Sequence, residues 1–414
     1  MRDKKVLVGA IAIVVILILV IFAAMFSATP DEPEPEGGVF GDTSGTRTDG
    51  DVVDLDVDGE RNLEDMQYAG EEGTDEAPML RALFDGPVAG AVAMEADGTQ
   101  VARFVARETG HIHETPLTTV KESTTKRTDT ILRIGKADWA SDGEHVVLRR
   151  LGNEALSVYS YVSPVSSDGE GHHLPDNILT LAVSPAGDKV FYLVAAESGG
   201  SVGYVETLSA ETRTEVFTSP LKSYTATWHH EDEVLLYTKP SSLALGYVWI
   251  LNPNTGAVER ILGNLYALAA LGNKDGSRIA YSLQENSNDI ISLRVVDTES
   301  GEVAQLPKQT IIEKCAWGTV ATTTLYCAFP SNIITRGYLE SWYYGTLKSN
   351  DVLWQVDVDT LSIRRVLDPI ELTTDAFDIV DLHVSPQEDF ILFRTKQDDI
   401  LWAARIPDDL LPRN

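Results

Sequence analysis

Turn-forming sequences recur along this chain at a nearly constant spacing, and this spacing restricts the possible folds more than any other feature. Five successive intervals measure 44–46 residues and a sixth measures 66, with turns at Gly98, Gly143, Gly187, Asp232, Gly276, Thr322 and Glu388. Each turn separates two short runs rich in apolar residues, and a third run follows. Several strands within each repeat predict a series of small antiparallel sheets.

The second run of each repeat is apolar at consecutive positions, as at 146–148, 190–194, 234–237 and 390–393. A strand needs no alternation of polar and apolar residues when both of its faces are buried. Stacking of sheets around a common axis has this effect. We therefore predict an all-β β-propeller, with seven blades expected and six to eight permitted. Asp-Gly turns within the repeats favour antiparallel blades over a solenoid.

The last repeat contains only three runs, at 379–384, 390–394 and 401–405. Residues 79–90, which precede the first repeat, are similar to the outer-strand sequences at 258–264 and 363–369. We predict that this N-terminal strand completes the last sheet, because such a closure removes a free strand edge.

Three segments carry the repeat pattern most clearly: WASDGEHVVL at 139–148, VSPAGDKVFYL at 183–193 and VSPQEDFILF at 384–393. The pattern resembles the repeats of TolB-like and WD-repeat β-propellers, and the resemblance covers residues 79–411. It implies the fold but no catalytic residue, because propellers serve both as enzymes and as scaffolds.

Residues 6–26 contain neither a charge nor a proline. As a helix they would measure about 31 Å, enough to cross the hydrocarbon core of a bilayer. Three basic residues lie among residues 1–5 and an acidic segment follows, which predicts a single-pass type II protein with its propeller on the extracytoplasmic side of the cell membrane. A cleaved signal peptide is the alternative, but Phe22, Met25 and Phe26 disrupt the small-residue cleavage pattern.

Residues 27–78 are predicted to form an extended, disordered linker. Positions 30–77 hold 17 Asp and Glu residues against two Arg, and such a composition repels itself and lacks a core. The whole chain has a net charge of −30 and no basic stripe, which argues against nucleic-acid binding. The propeller is predicted over 79–411, followed by a short tail at 412–414.

The linker contains a candidate calcium site. Its oxygen-bearing residues occupy positions 1, 3, 5, 9 and 12 of a loop that resembles the EF-hand, namely Asp54, Asp56, Asp58, Asn62 and Asp65. Arg61 stands where EF-hands place an apolar residue, and position 12 is Asp instead of Glu. The alternative is a chance match within a solvated acidic linker.

Cys315 and Cys327 are the two cysteines of the chain and lie at equal distances from the centre of a predicted hairpin. Residues opposite each other on adjacent strands can be bridged, and cysteines outside the cytoplasm commonly pair. A disulfide and a pair of buried thiols both remain open at this point.

The 66-residue interval contains an insertion at 331–350 that is rich in aromatic residues. Binding hot spots share this composition, so its candidate binding residues are Arg336, Tyr338, Trp342, Tyr343 and Tyr344. The alternative is that these aromatic rings pack against neighbouring blades.

The predicted anchor, linker and closed propeller favour a non-enzymatic binding or scaffolding module, with an envelope or surface protein as partner. The alternative is a hydrolase or lyase that acts on envelope polysaccharide or peptide. Its acidic or histidine side chains would have to converge from several repeats.

Overall fold

Runs of consecutive apolar residues form strands that are buried on both faces. Val190, Phe191, Tyr192 and Leu193 are each 0% exposed, although neighbouring side chains along a strand point to opposite faces. The computed structural model describes residues 67–68 and 76–412, apart from 153–156, 211, 286–289 and 333–336.

The described residues form six antiparallel sheets. Two strands precede the repeats: β1 (Gln67–Tyr68) and β2 (Leu80–Ala82). Sheet 1 contains β3 (Val88–Ala96), β4 (Thr99–Ala106), β5 (Ile112–Pro116) and β6 (Thr124–Arg127). Sheet 2 contains β7 (Ile134–Trp139), β8 (His145–Leu151), β9 (Val158–Pro164) and β10 (His172–His173). Sheet 3 contains β11 (Thr180–Val183), β12 (Lys189–Ala195), β13 (Ser201–Thr207) and β14 (Arg213–Ser219).

Sheet 4 is larger and contains β15 (Tyr224–His230), β16 (Glu233–Thr238), β17 (Leu245–Leu251), β18 (Val258–Gly272), β19 (Arg278–Glu285), β20 (Ile290–Asp297) and β21 (Val303–Gln305). Sheet 5 contains β22 (Cys315–Trp317), β23 (Thr324–Pro330), β24 (Asp351–Asp357) and β25 (Ile363–Leu367). Sheet 6 contains β26 (Ile379–Val384), β27 (Phe390–Thr395) and β28 (Leu401–Arg405), together with β2 and β1.

Helices are few in this part of the chain: α1 (Tyr338–Tyr343), α2 (Pro369–Thr373) and the 3-10 helices Ile312–Lys314 and Asp408–Leu410. None of the helices within the described ranges is long and apolar enough to span a membrane. The predicted membrane span at 6–26 lies outside these ranges.

The first strands of successive sheets contact one another and form a ring. β3 contacts β7, β7 contacts β11, β11 contacts β15, and β15 contacts β18. The 3-10 helix Ile312–Lys314 contacts both β18 and β26. The ring closes because β22 contacts β26 and β26 contacts β3. The first strands therefore surround a common axis, and the later strands of each sheet lie progressively farther out.

The N-terminal strand completes the last sheet, as predicted. β2 pairs with β28 through Leu80 and Ala404, Arg81 and Ala403, and Ala82 and Trp402. β1, which falls within the range interpreted as linker, pairs with β2 in turn.

Strand β18 serves two groups of strands in sheet 4. Its first half pairs with β17 and its second half with β19. The register shifts between Tyr266 and Ala269, and Ala267 has a φ of 54°. This bend lets one strand close the β15–β17 group and open the β19–β21 group.

The turns between first and second strands follow the predicted repeat. Gly98, Gly143, Gly187 and Gly276 have φ of 72°, 68°, 74° and 75°, a conformation that glycine adopts without steric cost. The last turn uses Glu388 instead, with a φ of 60°. Its carboxylate accepts hydrogen bonds from Val320 N (2.8 Å), Ala321 N (3.0 Å) and the Tyr326 hydroxyl (3.0 Å), and these bonds join sheets 5 and 6.

Strand direction gives the ring two faces. The turns between first and second strands lie on one face, which we call the hairpin face. The chain enters each first strand on the other face, which we call the connection face. Because neighbouring strands are antiparallel, the loops between second and third strands, including α1, also lie at the connection face.

Cys315 and Cys327 form a disulfide across β22 and β23, which resolves the alternative left open by the sequence. Their Cα atoms lie 4.1 Å apart. Cys315 is 7% exposed and Cys327 is 0% exposed, so the bridge lies within the core between the sheets.

Replacing both cysteines with alanine should lower the free energy of unfolding by about 3 kcal/mol, because the bridge closes a short loop in the unfolded chain. Denaturant unfolding, followed by tryptophan fluorescence, measures the change. Reduction of the unaltered protein should produce a similar loss and should leave the double variant unaffected. Equal stability of the two proteins under oxidising conditions would contradict a stabilising role for the bridge.

Candidate functional site

A cavity of about 880 Å³ lies along the axis of the ring. Residues from β3, β7, β11, β15, β18, β22 and β26 line it, so every innermost strand contributes to its wall. We call this cavity the central channel. Its lining includes Trp139, Trp228 and Tyr237, as well as several charged side chains.

Strand irregularities place two opposite charges in the channel. The register of β7 shifts between Ile134 and Lys136, and that of β26 shifts between Val380 and His383. Within the second shift, Asp381 has a φ of 51°. β-Bulges redirect side chains in this way and are frequent beside functional sites, and a strained residue in a cavity suggests a functional role.

Lys136, Asp138, Asp381 and Arg394 form what we call the channel ion-pair cluster. Lys136 Nζ lies 2.7 Å from Asp138 Oδ1, and Arg394 forms an ion pair with Asp381. Asp138 raises the pKa of Lys136. Burial favours a higher pKa for Asp381, but Arg394 and Lys136 outweigh it and the pKa of Asp381 is lowered. Lys136 and Asp381 therefore remain charged at neutral pH.

His383 lies beside this cluster on β26. Burial lowers the pKa of His383 and outweighs its attraction to Asp381, so its imidazole is neutral at neutral pH. Among the described residues, no group of three or more His, Cys, Asp or Glu side chains is arranged to hold a metal ion. The channel ion-pair cluster therefore consists of charges that are paired with one another, Lys136 with Asp138 and Arg394 with Asp381.

Another part of the channel wall carries Glu313, which lies in the 3-10 helix before β22. Its Oε1 accepts a hydrogen bond from the Tyr343 hydroxyl, and burial raises the pKa of Glu313. Three buried polar atoms that line the channel have no hydrogen-bond partner in the described part of the chain: Glu313 Oε2, Asp138 Oδ2 and Thr227 Oγ1. Unsatisfied buried polar atoms are rare in proteins and call for an explanation.

Helix α1 forms within the insertion at 331–350 and divides its aromatic residues into two groups. Tyr338 is 2% exposed and Trp342 is 5% exposed. Tyr343 and Tyr344 are 43% and 81% exposed. One side of the helix is therefore anchored in the protein, and its C-terminal end presents tyrosines to solvent.

A buried cluster around Lys314 holds α1 against the ring. The Lys314 ammonium, which is fully buried, forms ion pairs with Asp351 and with Asp378 (2.6 Å), and it also donates to Ser349 Oγ (2.9 Å). Trp342 Nε1 donates to Asp378 Oδ1 at 3.0 Å. This Lys314 cluster thus joins the starts of β22, β24 and β26 to the helix.

Two lysine ammonium groups also lie over the Trp342 ring. Lys396 Nζ lies 3.5 Å and Lys314 Nζ 5.3 Å from its centroid, and cations are attracted to the faces of aromatic rings. Burial tends to raise the pKa of Asp378, but Lys314, Trp342 and Ser349 outweigh it and the pKa is lowered. Burial prevails at Asp351, whose pKa is raised.

Comparison of the structure with solved structures yields similar proteins. The propeller domain of the Trilobed protease from Pyrococcus furiosus has a TM-score of 0.50 and 12% identity, over 79% of this chain and 99% of that one. The tricorn protease has a TM-score of 0.51 and 12% identity, over 81% of this chain but only 34% of that one. TolB from Acinetobacter baumannii has a TM-score of 0.42 and 14% identity, over 69% of this chain and 64% of that one.

The chain has a β-propeller fold. The ring of antiparallel sheets and the similarity to the propeller domain of the Trilobed protease agree on this, as the repeat pattern predicted. No protein-family model matches the sequence, and no curated protein sequence matches it either. At such low sequence identity, the neighbours establish the fold and not the activity.

The predicted site residues fall into three groups relative to this propeller. The disulfide residues Cys315 and Cys327 are bonded. The aromatic residues of the insertion lie at or next to α1, whereas Arg336 lies outside the described residues. The candidate calcium ligands also lie outside them, so calcium binding stays a prediction: Asp54, Asp56, Asp58, Asn62 and Asp65.

Sequence reasoning did not identify the channel ion-pair cluster, Glu313 or the Lys314 cluster. The charged residues Lys136 and Asp381 interrupt otherwise apolar first strands, a signal that could have marked them. Nothing comparable marks Lys314, because Asp351 and Asp378 follow it by 37 and 64 residues.

Replacing Lys314 with methionine should destabilise the propeller by about 3–5 kcal/mol, because two buried carboxylates would lose their shared cation. Denaturant unfolding measures this loss. Lys348→Met, at an exposed position of the same insertion, is the control and should change stability by less than about 0.5 kcal/mol. Similar small effects for both variants would show that the Lys314 cluster contributes little.

Proposed function

We propose that this chain is a membrane-anchored, extracytoplasmic propeller that binds a protein or peptide partner at its connection face. The exposed surface formed by α1 and an adjoining loop beside the channel carries this proposal.

We propose seven blades. Sheets 1, 2, 3 and 5 have four strands each, and β28, β27, β26 and β2 supply four strands to sheet 6. Sheet 4 has seven strands, and its shared strand β18 provides an outer strand for one group and an inner strand for the next. Counting sheet 4 as two blades gives the number expected from the repeat spacing.

An extracytoplasmic location is supported by two independent features. The uncharged run at 6–26 follows three basic residues, which favours retention of the N-terminus in the cytoplasm. The Cys315–Cys327 disulfide is a bond that persists mainly in oxidising compartments. Both features favour a propeller outside the cytoplasm, and the first also favours a type II anchor.

The proposed binding surface is centred on the contact between α1 and the β16–β17 loop. Ser242 donates to Glu340 Oε1 through its backbone N (2.7 Å) and its hydroxyl (2.6 Å). Leu243, next to Ser242, is 86% exposed, and Tyr344 is 81% exposed. Tyrosine is enriched among the residues that dominate protein interfaces, and the exposed leucine beside it adds apolar surface that a partner would remove from water.

The channel chemistry supports recognition more than proton transfer. Asp138 and Asp381 each have a cationic partner, so neither is a free general base. A hydrolase or lyase remains the alternative, and no particular contact in the described channel favours it.

Protease added to intact spheroplasts should degrade the propeller from outside, because the proposed topology exposes it there. Immunoblotting with an antibody against the propeller detects the loss. A cytoplasmic protein in the same sample should stay intact until the cells are lysed. Recovery of a mature protein that begins near Thr29 would instead show that residues before it are a cleaved signal peptide.

A Leu243→Ser and Tyr344→Ala double variant should bind partner peptides at least about tenfold more weakly, because it removes two exposed anchors. The probes are peptides selected from a random display library against the full chain, and fluorescence anisotropy measures their affinities. The melting temperature should hardly change, since both side chains are exposed.

Val320→Ser is the matched control for this experiment. Val320 is 46% exposed but lies in the β22–β23 turn, at the hairpin face, so its replacement should leave the affinities unchanged. Equal binding by the double variant and the unaltered chain would refute the proposed surface.

A further inference from the structure

We propose that Glu313 forms a subsite in the central channel for the cationic group of an extended peptide, namely a lysine or arginine side chain. This inference rests on the proposed binding function and names the chemistry that the channel recognises. Four observations support it: the position of Glu313, its unpartnered oxygen, the aromatic residues that line the channel, and the volume of the channel.

The residues on either side fix the orientation of Glu313. Ile312 is 3% exposed and packs in the core between sheets 4 and 5. Lys314 is 0% exposed and is held by Asp351 and Asp378. Because both neighbours are anchored in the protein interior, the backbone holds Glu313 at the channel wall, and the hydrogen bond from the Tyr343 hydroxyl orients its carboxyl group.

The carboxylate of Glu313 is only half satisfied. Oε1 accepts from the Tyr343 hydroxyl, whereas Oε2 is buried without a hydrogen-bond partner in the described residues. Its neighbour Lys314 directs its ammonium to other carboxylates. Burial raises the pKa of Glu313, and a bound cation would oppose this shift because it stabilises the ionised carboxylate through a charge-assisted hydrogen bond to Oε2.

The surroundings of Glu313 suit a cation with an alkyl stem. Tyr237 is near enough for the Glu313 charge to raise its pKa further, and both residues line the channel with Trp228 and Thr227. Aromatic faces attract cations, and Thr227 Oγ1 is a second buried oxygen without a partner. A bare metal ion fits poorly, because Glu313 belongs to no group of three potential ligands among the described residues.

The channel dimensions indicate how the cation is presented. A volume of about 880 Å³ accommodates side chains and a short extended segment but not a folded domain. Tyr343, the last residue of α1, donates a hydrogen bond to Glu313. The residue that follows it, Tyr344, belongs to the proposed binding surface. A peptide bound at that surface could therefore extend a basic side chain towards Glu313.

The test uses the full chain and peptides selected by display, each synthesised with lysine or with norleucine at its basic position. Glu313→Gln keeps the size of the side chain and removes its charge. We expect this variant to weaken binding of the lysine peptide about ten- to hundredfold, as loss of a charged hydrogen bond does. Binding of the norleucine peptide should stay the same.

Tyr343→Phe is the control for an indirect effect. It removes the hydrogen bond to Oε1 but leaves Oε2 and its charge. If Glu313 only positions α1, both variants should lower the affinities for the lysine and the norleucine peptide to the same extent. This result would overturn the subsite. Selected peptides without basic residues, or equal losses for both peptides in Glu313→Gln, would also overturn it.

The same experiment separates this inference from the proposed function. If peptides bind the Leu243→Ser and Tyr344→Ala variant more weakly but bind Glu313→Gln with unchanged affinity, the proposed binding surface is supported and the cation subsite is refuted. Failure of every display selection against the full chain would refute the proposed function, and the subsite with it.

Discussion

Pairing between β2 and β28 is the constraint on which the remaining structure depends. The two strands lie more than 300 residues apart in the chain, yet their hydrogen bonds complete sheet 6 and join the N-terminal strand to the last repeat. Without β2, β28 would be an exposed edge with unpaired backbone groups. Closure also brings β26 against β3, so the first strands surround a channel instead of forming an open arc, and the loops of the connection face converge around one opening.

Repetition in the sequence made the fold predictable, because the turn spacing, the doubly buried second strands and the N-terminal closure are local or periodic signals. β26 and β28 have the predicted bounds, and β12 extends the predicted strand by one residue at each end. Hairpin symmetry predicted that Cys315 and Cys327 lie opposite each other, as they do, but only the structure distinguished a disulfide from two buried thiols.

The channel could not be predicted in the same way. The positions of Lys136 and Asp381 depend on register shifts in β7 and β26, and a shift of one residue exchanges the two faces of a strand. Trp342 shows a second limit: aromatic composition alone does not separate a binding ring from a packed one. Its burial depends on Lys314, Asp378 and Lys396, which come from three other parts of the chain.

The Lys314 cluster also explains how packing can determine recognition. A buried lysine with two carboxylates contributes little net stability compared with apolar packing, because desolvation offsets the attraction. Its structural value here is geometric, since it fixes the 3-10 helix in one rotation and thereby holds Glu313 at the channel. The ion pairs Lys136–Asp138 and Arg394–Asp381 neutralise much of the channel charge. The channel would therefore recognise a charged ligand mainly through Glu313, the carboxylate that has no cationic partner. Its selectivity would depend on this residue more than on the net charge of the channel.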